Sequence, residues 1–117
     1  MAQTGLLKTV NLEQGLPTSD AAVRRLTYEI HAAKELGYLV LKIIHGYGSS
    51  GKGGKIRVEA RNYLTRQQSR HVIRGFITGE TFSIFDAETQ KAFLRCDELR
   101  RDPDMDRHNN GVTFVLL

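Results

Sequence analysis

Tyr38 to Arg57 reads Tyr-Leu-Val-Leu-Lys-Ile-Ile-His-Gly-Tyr-Gly-Ser-Ser-Gly-Lys-Gly-Gly-Lys-Ile-Arg. Tyr38 to Ile44 is almost continuously apolar and ends in His45-Gly46, the pattern of a central parallel strand buried on both faces. Five glycines then fall within residues 46–54, and a helix with Ile56, Ala60, Tyr63 and Leu64 on its inner face follows to about Gln68. Arg57 and Arg61 stand one turn apart on what this spacing makes the outer face.

On the N-terminal side, Leu6 to Leu12 reads as a first strand, broken by Gly15 and Pro17. Val23, Leu26, Ile30 and Ala33 place a helix over 18–36, capped by Thr18 or Ser19 and ended by Gly37. On the C-terminal side, 71–78 reads as a third strand. Asp86 caps a third helix to about Arg101, which Pro103 stops, and Gly111 to Leu117 makes a last strand. The order β-α-β-α-β-α-β predicts an α/β fold: a two-layer sandwich with a largely parallel four-stranded sheet and right-handed crossovers. With 117 residues, residues 1–117 form a single domain, without internal repeat or linker.

Composition excludes several classes. Forty per cent apolar and 26% charged residues are the proportions of an ordinary globular domain. No apolar run approaches the roughly 20 residues needed to span a bilayer, and the start lacks a secretory pattern, so no membrane partner is expected. A lone Cys96 asks for no oxidising compartment, which makes a cytoplasmic location the expectation. The net charge of +4 is unevenly spread: residues 1–75 carry 12 basic and 5 acidic side chains, residues 76–117 carry 5 and 8. Between Lys42 and Arg74 eight cations face Glu59 alone, which points to a polyanion.

The segment 46–54 is longer than an ordinary connection of about 2 to 6 residues, and its glycines cost backbone entropy. Glycines let the main chain approach a ligand, and a following helix N-terminus favours an anion, so Gly46, Gly48, Ser49, Ser50, Gly51, Gly53 and Gly54 form a candidate phosphate cradle. Lys52, Lys55, Arg57 and Arg61 would add charge, and Tyr47 offers a ring for an unpaired base. Gly46-x-Gly48-x-x-Gly51 matches the dinucleotide fingerprint but follows the second strand and lacks its acidic partner. Gly46-x-x-x-x-Gly51-Lys52 nearly completes a P-loop, but Gly53 stands where a magnesium-binding Ser or Thr belongs. His31, His45, His71 and His108 lack metal-ligand spacing, and Asp102-x-Asp104-x-Asp106 departs from a calcium loop at Arg107 and reads as a solvated turn. No metal and no cofactor is expected.

Ile43 to Arg57, with His45-Gly46-Tyr47-Gly48 at its centre, resembles the glycine loop and helix start of the Smr (small MutS-related) domain found alone or in MutS2-like proteins. Leu16-Pro17-Thr18 with Ala21 and Leu26 is similar to that family's first helix start, and Asn110 to Val115 to its last strand, so the resemblance extends over essentially the whole chain. It implies a nucleic-acid-binding fold like the C-terminal domain of translation initiation factor three and, in several members, endonuclease activity on DNA or RNA; since no reading helix or aromatic sheet motif is visible, low sequence specificity is expected. The family's Leu-Asp-x-His-Gly motif aligns only with Val10-Asn11-Leu12-Glu13-Gln14 or Leu12-Glu13-Gln14-Gly15, without its histidine. Asn11 and Glu13 would stand in for the Asp and His, with His45 as acid/base in a metal-independent cleavage. An unperturbed glutamate, with a pKa near about 4.3, is a weak base at neutral pH, so binding without efficient cleavage is the expectation. A small-ligand phosphate or nucleotide binder and a protein-interaction adaptor are the alternatives. The helix at about 86–101 is an insertion relative to the shortest family members.

Overall fold

The protein is described from a computed structural model, which covers residues 6–15, 17–46 and 53–117. The elements are β1 (Leu7–Asn11), α1 (Ser19–Glu35), β2 (Val40–Ile44), α2 (Gly53–Ser69), β3 (Gly75–Thr78), α3 (Ala87–Arg95), a 3-10 helix (Asp97–Arg101) and β4 (Val112–Leu116). Thr18 caps α1 by accepting from Ala21 N at 3.1 Å, and Gly37 closes that helix with φ +84°. His71 takes a left-handed turn (φ 61°) after α2, so the third strand starts at Gly75 rather than at residue 71.

The sheet order is β1-β2-β4-β3. β1 and β2 are parallel, but β4 runs antiparallel to both of its neighbours, β2 and β3. The sheet is therefore mixed rather than largely parallel. The reason lies in the connection from 79 to 111, which leaves β3 beside Thr78 and re-enters β4 at the same edge, where Thr78 pairs with Thr113 and Ile44 with Val112. An apolar strand pattern reports burial on two faces and says nothing of direction.

The expected two layers are three. Leu41, Ile43 and Val115 turn to one face, where they meet Leu26 and Ile30 of α1 and Ile56, Ala60 and Leu64 of α2. Val40, Ile77, Val112 and Phe114 turn to the other, against Phe82, Ala92, Phe93, Cys96 and Leu99. Phe82 and Phe114 stack there with centroids 4.1 Å apart. The segment that carries this second core is not one helix to Arg101. Asp86 caps α3 as expected, with its carboxylate accepting from Thr89 N at 2.9 Å, but Cys96 is extended (φ −137°, ψ 92°) and breaks the helix before the 3-10 turn. Among the described residues no helix is long and apolar enough to cross a membrane.

Candidate functional site

Residues from four elements converge on the sheet edge where β1, β2 and β3 end and β4 begins. At the end of β1, Asn11 Oδ1 accepts from Glu13 N at 2.8 Å. This turn lays the Glu13 carboxylate against the Cα of Gly46: a Cβ there would stand 2.2 Å from Glu13 Oε2, and Gly46 has φ +76°. Both facts demand glycine at this position. Asn11, Glu13, His45 and Gly46 are thus brought together. Tyr47, Gly48, Ser49, Ser50, Gly51 and Lys52 lie outside the described residues, while Gly53 and Gly54 open α2.

His45 is fully buried, and its two ring nitrogens are both engaged. Nδ1 lies 2.8 Å from Gly46 O, which can only accept, so Nδ1 carries the proton. Nε2 is then an acceptor, and Thr113 Oγ1, 2.8 Å away, donates to it. Thr113 Oγ1 in turn accepts from Arg61 Nε at 3.1 Å. Burial first of all, with Arg61 and Arg57 adding repulsion, lowers the His45 pKa to about 4. The imidazole is a neutral tie between β2, β4 and α2.

The unfolded chain protonates this histidine near about 6.5, whereas the folded chain does so only near 4, so between those values the unfolded state binds more protons. Stability is therefore expected to be full above pH 6.5 and to fall by about 3 kcal/mol as pH drops to 4. Urea unfolding at a series of pH values measures this slope, and His45→Gln is expected to remove this contribution to it.

Arg61, expected on the outer face, turns inward to the sheet edge. Its guanidinium forms two bonds to Glu80 (2.8 and 2.7 Å) and a weaker one to Val112 O at 3.3 Å. Above all, the bond from Arg61 lowers the Glu80 pKa. Arg57, one turn earlier, is half-buried and near enough to depress the pKa values of both His45 and Glu80, yet it has no hydrogen bond or ion pair among the described residues. Arg24 and Arg25 on α1, and Lys55, Arg66 and Arg70 on and after α2, also carry no ion pair within that set.

Lys42 leaves the basic face altogether. Its Nζ is buried on the α3 side of β2, 2.9 Å from Asp102 and 2.6 Å from Asp104. The Asp102–Asp106 segment is accordingly not a merely solvated turn: Asp102 also accepts from Asp104 N, and Asp104 from Asn109 Nδ2, both at 2.9 Å. One signal for this was present in the sequence, since a single lysine inside a buried strand requires a buried counter-ion. Among the described residues no group of three His, Cys, Asp or Glu is placed to hold a metal, and Cys96 is a buried thiol whose pKa is raised by burial.

A family model for the Smr domain matches residues 14–81, more than half of the chain. The chain belongs to the Smr family. The matched Smr range takes in α1, β2, the glycine segment, α2 and β3, and it stops before α3, the 3-10 helix and β4. The likeness of Asn110 to Val115 to the family's last strand is thus outside the match, as are Asn11 and Glu13. Comparison with curated proteins and with solved structures gives no match.

Proposed function

We propose that this Smr domain binds the phosphate backbone of DNA or RNA at the C-terminal edge of β1 and β2, across the glycine segment and the first turns of α2. The observation that carries the reading is Arg57: a half-buried guanidinium at the start of the second turn of a 17-residue helix, without a partner among the described residues, beside a neighbour already held by Glu80. A helix start and an unpaired guanidinium form an anion site of the kind that contacts phosphates. Lys55, exposed in the first turn of the same helix, adds a second cation at the helix start, and the glycines with Lys52 and Tyr47 complete the cradle in this reading. Arg24, Arg25, Arg66 and Arg70 extend the positive surface over α1 and α2. Arg61, tied to Glu80, acts as a support for the edge rather than as a phosphate ligand. Backbone contacts of this type carry little sequence information.

Cleavage is not expected to accompany binding. His45 would need to give up a bond to Gly46 or Thr113 before either nitrogen reached an outside group, and because the imidazolium forms only near and below about pH 4, the neutral ring is no acid at neutral pH. Glu13, close to Gly46 and half-exposed, would be left as the base, supported by Asn11.

The test is one gel experiment with end-labelled single-stranded RNA, duplex DNA and branched DNA, with and without EDTA. A mobility shift without cleavage is the expected result. Cleavage that survives EDTA and is lost in Glu13→Gln or His45→Ala would make the domain an endonuclease. No shift on any substrate would favour the adaptor reading, and mononucleotide binding that RNA does not compete away would favour a small-ligand site.

A further inference from the structure

A different surface, on the opposite face of the sheet, is the least explained by folding. Ile84, Phe85 and Leu94 are 47%, 85% and 84% exposed at the start and along the outer side of α3. The backbone that carries Phe85 is held in place. Its N donates to Ser83 Oγ at 3.1 Å, Ile84 N donates to Asp106 Oδ1 at 3.3 Å, and Gln90 Nε2 donates to Ile84 O at 2.5 Å. An aromatic side chain displayed on an ordered turn loses little freedom on binding. Beside it lies an open groove of about 710 Å³, lined by Ala87, Gln90, Phe93 and Leu94, with the Arg100 guanidinium 4.5 Å from the Phe93 ring.

A protruding ring and an apolar groove on one face are the two halves of a self-complementary contact, because a two-fold axis places each ring in the groove of the other copy. The rim agrees. Glu88 pairs with Lys91, and Asp97 with Arg100 and Arg101, so two copies meet with charges of both signs. Two basic α1/α2 faces would instead repel. We propose that the outer face of α3 is a self-association surface on which the Phe85 side chains of two copies exchange grooves. The three exposed side chains offer roughly 400 Å² of apolar surface per copy, which with a rim reaches only the low end of specific interfaces. Such an interface is a weak one, so association is sought between about 1 µM and about 100 µM. Since α1 and α2 cover the opposite face of the sheet, the two basic surfaces of such a dimer point outward. The proposal stands independently of what those surfaces bind.

Sedimentation equilibrium of the full chain across that concentration range tests it. Concentration-dependent dimerisation is expected, weakened at least tenfold by Phe85→Asp, by Leu94→Asp, and by Ala87→Trp, which fills the groove and leaves Phe85 in place. Arg24→Glu on the opposite face is expected to leave it unchanged, and thermal melts confirm that each variant is folded. A monomer at every concentration overturns the proposal, as does a dimer that survives the Phe85→Asp, Leu94→Asp double variant. Association unaffected by Ala87→Trp overturns the exchange of grooves.

Discussion

Replacing Lys55 and Arg57 together by glutamate is expected to weaken nucleic-acid binding about 100-fold at low salt, with the fold intact. Each reversal removes a phosphate contact and sets a carboxylate at the positive start of α2, where the chain has no acidic residue in the first turn. The affinity is read by fluorescence anisotropy on a labelled oligonucleotide, and folding by the urea midpoint. Arg61→Glu is the informative contrast. It leaves Glu80 beside a second carboxylate and takes a donor from Thr113, so it should lower stability first and affinity only as a consequence. Equal losses of affinity, with unchanged stability, from Arg57→Glu and Arg61→Glu would contradict the division of labour between the two arginines.

Lys42→Ala is expected to lower stability by about 3–5 kcal/mol, because it strands two carboxylates around a site buried under the 3-10 helix. Asp102 retains only 6% of its side-chain exposure and Asp104 20%. Burial opposes the charge on Asp104, but the bonds from Asn109 and Lys42 outweigh it and hold its pKa below the usual carboxylate value. Burial likewise opposes the charge on Lys42, yet its two aspartates raise its pKa above 10.5. The Asp104 contribution is present above pH 3.8 and lost as pH falls through its depressed pKa. The Lys42 contribution is present below pH 10.5 and lost as pH rises through its elevated pKa. Lys42→Met combined with Asp102→Asn and Asp104→Asn should recover most of the loss, since replacing a whole buried ion cluster is far cheaper than breaking it. Urea denaturation of the single and triple variants decides between a network that matters and one that is incidental.

The residues show where sequence reading reaches and where it stops. Tyr38 to Ile44 declares a buried strand because both faces are apolar, and Val23 to Ala33 declares a helix because one face is. Both signals are local: α1 stands where the pattern puts it, whereas β2 starts at Val40 rather than Tyr38, whose N still donates to Ala33 O at 3.0 Å in the turn that closes α1. The direction of β4 is not local: it depends on the connection from 79 to 111 returning to the edge it left. Arg57 and Arg61 are identical in type and one turn apart, and Glu80, brought alongside by β3, commits Arg61 while Arg57 has no partner among the described residues. Lys42 counted as a surface cation until Asp102 and Asp104, 60 residues away and more, were placed against it. The burial of His45 follows from β4 covering its ring with Thr113, a contact across 68 residues.

The central claim is that phosphates meet Lys52, Lys55, Arg57 and one further arginine of the α1/α2 face. The most direct measurement is the affinity for one labelled oligonucleotide across a salt series. Release of counterions from that many contacts gives a plot of log affinity against log salt with a slope of roughly −3 to −4. Lys55→Glu with Arg57→Glu should flatten it by about 2. A wild-type affinity that does not change with salt would contradict phosphate binding at the start of α2.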